Sequence, residues 1–136
     1  WAAIHYSVAF DVIAGFFALH LVGNEGIAYG WFSEHPMATK LLPFTIFGAI
    51  LLIIWFIRIT PVRQKWELLG YYCILSGAVG NFLDRLYHGW VTDFILFYWF
   101  PYVFNIADTV ICIGIGFVIL QYILDLRLSK HASNSV

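Results

Sequence analysis

From Leu41 to Ile59 the chain runs nineteen residues with a single charge, Arg58. A bilayer's hydrocarbon core is crossed by about 20 apolar residues in a helix. Inside it no water serves the backbone, so only a helix or a closed barrel satisfies the peptide groups. The feature recurs. Apolar runs cover about Trp1 to Leu21 (interrupted by His5, Asp11 and His20), Trp66 to Leu86 and Phe104 to Leu126. A mean hydropathy of +0.83 and 20% aromatic residues lie outside the range of soluble domains. The expectation is an all-α membrane protein with four transmembrane helices in one domain over residues 1–136, and short outer segments with room for some β structure. The first run has no basic leader and more spans follow it, so it reads as a span rather than a cleaved signal peptide. Pro43 falls in the first turn of the second run, where proline is tolerated.

Lys and Arg gather in cytoplasmic loops. Arg58, Arg63 and Lys65 bracket the loop around Pro61, and Arg127 and Lys130 stand in the polar tail from Arg127 to Val136. Four spans put both regions, and both termini, on the cytoplasmic side. The loops around Gly23–Lys40 and Leu86–Val103 then lie outside, with Lys40 against the trend. A net charge of −1 offers nothing to nucleic acid, and no run of like charge reads as a lipid-binding tail. Cys73 and Cys112 fall in apolar runs and read as buried free thiols. Ser76 and Gly80 form a small-xxx-small pair for close helix packing. The glycines of Gly23–Gly30 read as irregular backbone or close packing. Phe94–Phe104, with seven aromatics in eleven residues, reads as a segment lying along the outer membrane surface.

Polar groups concentrate between Gly77 and Asp108. Asn81, Asp84, Arg85, Asp93, Asn105 and Asp108 make six in 28 residues. Ionisable groups at membrane depth are costly, face protein or water-filled cavities, and usually serve a purpose. Asn81, Asp84 and Arg85 are spaced i, i+3, i+4 and share a helix face. Asn105 and Asp108 are i, i+3 at the start of the last run. If the outer ends of spans three and four converge with the loop, Asp93 and Asp108 meet. Two carboxylates in contact do not both ionise easily. The ionised one can activate water and the protonated one can polarise a carbonyl, which is amide hydrolysis without metal or cofactor. His88 is near but has no nucleophile in its sequence context, and HxxE- and CxxC-type metal spacings are absent. Each residue also has a plainer reading. Asp84 and Arg85 can be a structural pair, Asp108 can complement a helix dipole, and Asn105 can be an N-cap.

The pieces GAVGNFLDR (Gly77 to Arg85), GWVTDF (Gly89 to Phe94) and FNIAD (Phe104 to Asp108), in that order, resemble those of lipoprotein signal peptidase (signal peptidase II), the membrane aspartyl peptidase family of bacteria. GNEGIAYG, from Gly23 to Gly30, resembles the family's N-x-G segment less sharply. The resemblance implies cleavage of prolipoproteins before a diacylglyceryl-cysteine, in the bacterial inner membrane with the site toward the extracytoplasmic face. It implies a catalytic pair of Asp93 and Asp108. Asn24, Asn81, Arg85 and Asn105 surround the pair, and Asp84 is a more structural acid. Membrane lipids and the cyclic peptide globomycin are implied partners, with the chain a monomer. The family's first span carries D-Q-x-T-K. Aligning its acid with Asp11 places Val12 and Gly15 at the Gln and Lys positions and leaves only 12 residues before Asn24. Gly23 stands where the family commonly has Arg. Two other functions stay open: a proton-coupled carrier using Asp11, Asp93, Asp108 and the histidines as a relay, and a lapsed relative that binds lipoprotein precursors.

Overall fold

The computed structural model describes residues 9–25 and 36–134. Seven elements follow in order: β1 (Phe10–Ile13), β2 (Phe17–Asn24), α1 (Pro36–Ile59), α2 (Lys65–His88), β3 (Val91–Phe97), β4 (Val103–Phe104) and α3 (Ile106–Asn134). The strands form one antiparallel sheet in the order β1-β2-β3-β4.

The expected first span is corrected. Residues 10–24 form a β-hairpin, not a helix; Trp1 to Val8 lie outside the described residues. Gly15 turns the hairpin with φ of 68°, a left-handed conformation that costs glycine little. The Phe16 N–H closes it onto the Ile13 carbonyl at 3.0 Å. Summed hydropathy cannot separate a short apolar strand from a piece of helix. What decides it is β3, which supplies the backbone partners for β2 from Phe17↔Phe97 to Asn24↔Val91.

Three helices are present among the described residues. Two are long and apolar enough to cross a membrane, Lys40–Ile59 and Ile106–Lys130. Their most apolar windows are only 11% and 6% buried, so a protein core does not account for their hydrophobicity. Large side chains such as Phe44, Leu51, Ile119 and Leu128 point outward, as they do where lipid is the solvent. The boundaries shift from expectation. α1 begins at Pro36, which puts Pro43 about two turns inside it rather than in its first turn. α3 runs on through the expected polar tail to Asn134. Cys73 is half-buried and Cys112 is exposed, so the thiols are free but not both buried.

α2 lies between its neighbours. Phe47 meets Phe82 and Phe56 stacks on Tyr71 across α1 and α2, while Trp66 stacks on Phe117 of α3. α2 and α3 run antiparallel at very short range. A Cβ on Gly70 would fall 2.6 Å from the Gly114 carbonyl oxygen, and one on Gly77 would press into Ala107 backbone and stand 2.6 Å from Ile111 Cγ1. Small residues permit this approach. A Cβ on Gly80, the glycine of the expected Ser76–Gly80 pair, would meet Ala107 Cβ at 3.4 Å, so Gly80 also faces α3, but the tightest approach is at Gly70 and Gly77 against Gly114 and Ala107. The basic loop after α1 sits beside the far end of α3, where the Gln64 side chain donates to Asp125 at 3.4 Å. The sheet sits at the opposite end, with the amino end of α3 and the carboxyl end of α2.

Candidate active site

Three elements bring polar side chains to that sheet-bearing end. α2 supplies Asn81, Asp84 and Arg85 from one face. The helix then stops at Gly89, whose φ of 85° turns the chain while its N–H caps the Arg85 carbonyl. Two residues later β3 begins, and Asp93 is its third residue. α3 starts just after Asn105.

Asn105 is the hub. Its backbone N–H donates to Asp108 Oδ2 at 3.2 Å, and the Asp108 N–H donates to Asn105 Oδ1 at 3.0 Å. This is a reciprocal capping box, which satisfies two of the orphan donors at a helix start. The same Asn105 amide donates to Asp93 Oδ1 at 2.8 Å and to Asn81 Oδ1 at 3.1 Å. Asn81 in turn donates to Asp108 Oδ1 at 2.7 Å. Both amides have donors and acceptors committed, so their orientation is dictated by the network. The plain reading of Asn105 as an N-cap and its reading as a site residue thus hold together.

Asp93 is 3% exposed and Asn105 5%, the two buried polar residues among those described. Asn24 donates to Asp93 Oδ2 at 3.0 Å, so both oxygens of Asp93 receive an amide. Asn24 reaches it diagonally: Asn24 pairs with Val91 and Val22 pairs with Asp93, so the two polar residues are same-face diagonal neighbours. A bulge sets this up. Between Leu19 and Val22 the register advances three residues on β2 against two on β3, from Ile95 to Asp93. The extra residue decides which β2 side chains share a face with Asp93, and bulges recur beside active sites for that reason.

Burial pushes the Asp93 carboxyl above its usual range, and the nearby Asp108 charge pushes the same way. The Asn24 and Asn105 amides and the Arg85 charge pull against it without cancelling it. Arg85 interacts with Asp93, Asp108 and Asp84 together, and its Nη1 lies 3.4 Å from the Asn81 carbonyl oxygen. Asp84 is engaged by backbone: its Oδ2 accepts the Thr92 N–H at 3.0 Å, tying the end of α2 to the start of β3.

Asp93, Asp108, Asn24, Asn81, Asn105, Arg85 and Asp84 are therefore gathered at one place. Asp11 does not join them by any hydrogen bond described. It lies on the outer strand β1 and accepts from the Tyr98 hydroxyl. With Asp11 on a strand, its alignment with a first-span acid lapses. The 12 residues to Asn24 are the length of a hairpin and measure no outer loop. The carrier reading loses its one mid-span acid for the same reason. Sequence reasoning also missed the contact between Thr92 and Asp84. It missed the cover that Trp90 gives Gly23, where a Cβ would meet the indole at 3.1 Å. Nothing in local spacing signals either, since both join segments that meet only in the fold.

Fold and site together define a membrane protein with two carboxylates, one buried and one half-buried, bridged by amides and attended by one arginine, at one end of its helices. The model of the signal peptidase (SPase) II family matches residues 1–124, and the chain belongs to that family. The lipoprotein signal peptidase of Vibrio campbellii is 39% identical over 113 residues, covering 78% of this chain and 66% of the relative. That of Pasteurella multocida is 40% identical over 109 residues, covering 77% and 66%. The chain thus spans about two thirds of the length of the relatives it matches. A solved bacterial membrane enzyme, determined by the in meso method, superposes with a TM-score of 0.72 at 29% identity, over 88% of this chain and 73% of that one.

Proposed function

We propose that this chain carries the active site of an aspartic endopeptidase that removes signal peptides from diacylglyceryl-modified prolipoproteins, cutting before the lipidated cysteine. The observation that carries it is Asn105, donating to Asp93 through its side chain and to Asp108 through its backbone. Family membership supplies the substrate class. Asp93, buried and raised, holds the shared proton. Asp108, at the amino end of α3 with donors from Asn81 and Asn105, suits the base. Asp108 takes a proton from water as the water oxygen attacks the scissile carbonyl, and Asp93 gives its proton to the carbonyl oxygen. Collapse of the diol returns that proton to the pair and passes the other to the departing amine. Asn24 and Asn105 orient Asp93, and Arg85 offsets the charge of the pair.

The helices span a bacterial inner membrane, and the site end faces the extracytoplasmic side, opposite Arg58, Arg63, Lys65, Arg127 and Lys130. Trp99 is 68% exposed on the β3–β4 turn and, with its aromatic neighbours, rests at the lipid interface. The enzyme acts as a monomer, and globomycin occupies the carboxylate pair. Asp93→Asn and Asp108→Asn, tested on a purified diacylglyceryl prolipoprotein, should each lower the cleavage rate by at least about 100-fold while the protein stays folded. Wild-type rates in either variant refute the assignment.

A further inference from the structure

Asp84 has a second oxygen and a second role. One oxygen receives the Thr92 N–H, immediately before Asp93. The other faces His88 Nδ1 at 3.7 Å, across one turn of α2. Asp84 precedes Arg85 in sequence, and Arg85 is the cation that also acts on Asp93 and Asp108. One arginine thus serves three carboxylates. If it served only the pair, its full field would favour the doubly ionised pair, which has no proton to give. A third carboxylate beside it offsets that field.

We propose that Asp84 is a positioning residue with two linked duties: its Oδ2 fixes the strand that carries Asp93, and its charge balances Arg85 so that the Asp93–Asp108 pair keeps one proton. The bond to Thr92 is charge-assisted and therefore stronger than a neutral one. It holds β3 where Asn24 and Asn105 can both reach Asp93. His88 on its own helix faces Asp84, and the charges that share Arg85 with it are Asp93 on β3 and Asp108 on α3. His88 is 54% exposed, so a cation placed there sits beside Asp84 without touching the pair.

The proposal rests on the carboxylate-pair reading above, and its test is read without catalysis. The protonated-carboxyl infrared band of the full chain is followed against pH, with Asp93→Asn used to assign it. Asp84→Asn keeps an acceptor for Thr92 and removes the charge. Its band should disappear at lower pH than in the wild type, by about one pH unit, the order a unit charge exerts at about 10 Å through an effective dielectric near 20. Asp84→Glu should restore the wild-type midpoint. His88→Lys, at an exposed position, should lower the midpoint by a smaller amount and decides the matter if Asp84→Asn does not fold. An unchanged or raised midpoint in both Asp84→Asn and His88→Lys overturns the proposal, because a merely structural Asp84 would change stability and leave the midpoint alone. Cleavage is measured separately. A wild type that does not cleave prolipoprotein refutes the proposed activity, and the infrared midpoints still decide the role of Asp84.

Discussion

Gly77→Ala should separate α2 from α3 where the site depends on their contact. The added methyl would press into the backbone of Ala107, standing 3.2 Å from its carbonyl carbon and 2.6 Å from Ile111 Cγ1. Ile111 can turn aside; the backbone of Ala107 cannot. Reaching ordinary contact requires the helices to part by about 1 Å at that level. Asn81 lies one turn along α2 from Gly77, and Asp108 follows Ala107. The Asn81–Asp108 bond of 2.7 Å and the Asn105–Asn81 bond of 3.1 Å would stretch out of hydrogen-bonding range. Overpacking costs about 1–3 kcal/mol, and each lost bond adds about 1 kcal/mol. Alanine's better helix propensity returns about 1 kcal/mol. The net loss is about 2–4 kcal/mol, accompanied by a fall in prolipoprotein cleavage. Gly116→Ala is the control. A Cβ there meets nothing within 4 Å, so only the propensity gain of up to about 1 kcal/mol remains. Thermal unfolding in one detergent, followed by circular dichroism, compares the two. Gly77→Ala unfolding no earlier than Gly116→Ala would refute the helix-seam reasoning.

Asp93 makes stability depend on pH with a definite sign. Its carboxyl is raised in the fold, so the protonated form is favoured there. Its contribution is fully present below the ordinary aspartate value near 3.9 and is lost as pH rises through the folded value. Unfolding temperature measured upward from about pH 4 should fall more steeply in the wild type than in Asp93→Asn, whose side chain cannot ionise; equal slopes contradict this. Asp11→Ala removes the exposed acceptor of Tyr98 and should leave the unfolding temperature close to that of the wild type, with cleavage kept within a few-fold of wild type. A loss of cleavage as large as that of Asp93→Asn would return Asp11 to the site.

The plain identity of its residues already gave this protein most of its helices. Leu41–Ile59, Trp66–Leu86 and Phe104–Leu126 lie within α1, α2 and α3 apart from two residues ahead of the last, because long apolar runs satisfy their backbones internally and the solution is local. The i, i+3 spacing of Asn105 and Asp108 was legible for the same reason: a capping box is made within one turn. The face shared by Asn81, Asp84 and Arg85 follows from helix period alone. The tertiary structure decided what depends on a distant partner. Residues 10–21 are as apolar as a span, yet β1 pairs with β2 and β2 with a strand about 70–80 positions away, and hydropathy holds no record of that partner. The bulge that sets Asn24 beside Asp93 exists only in the register between β2 and β3. The meeting of Asn81 with Asp108 rests on the glycine contact that closes α2 on α3. Local spacing places a side chain on a face of its own element; only packing chooses which other face it meets.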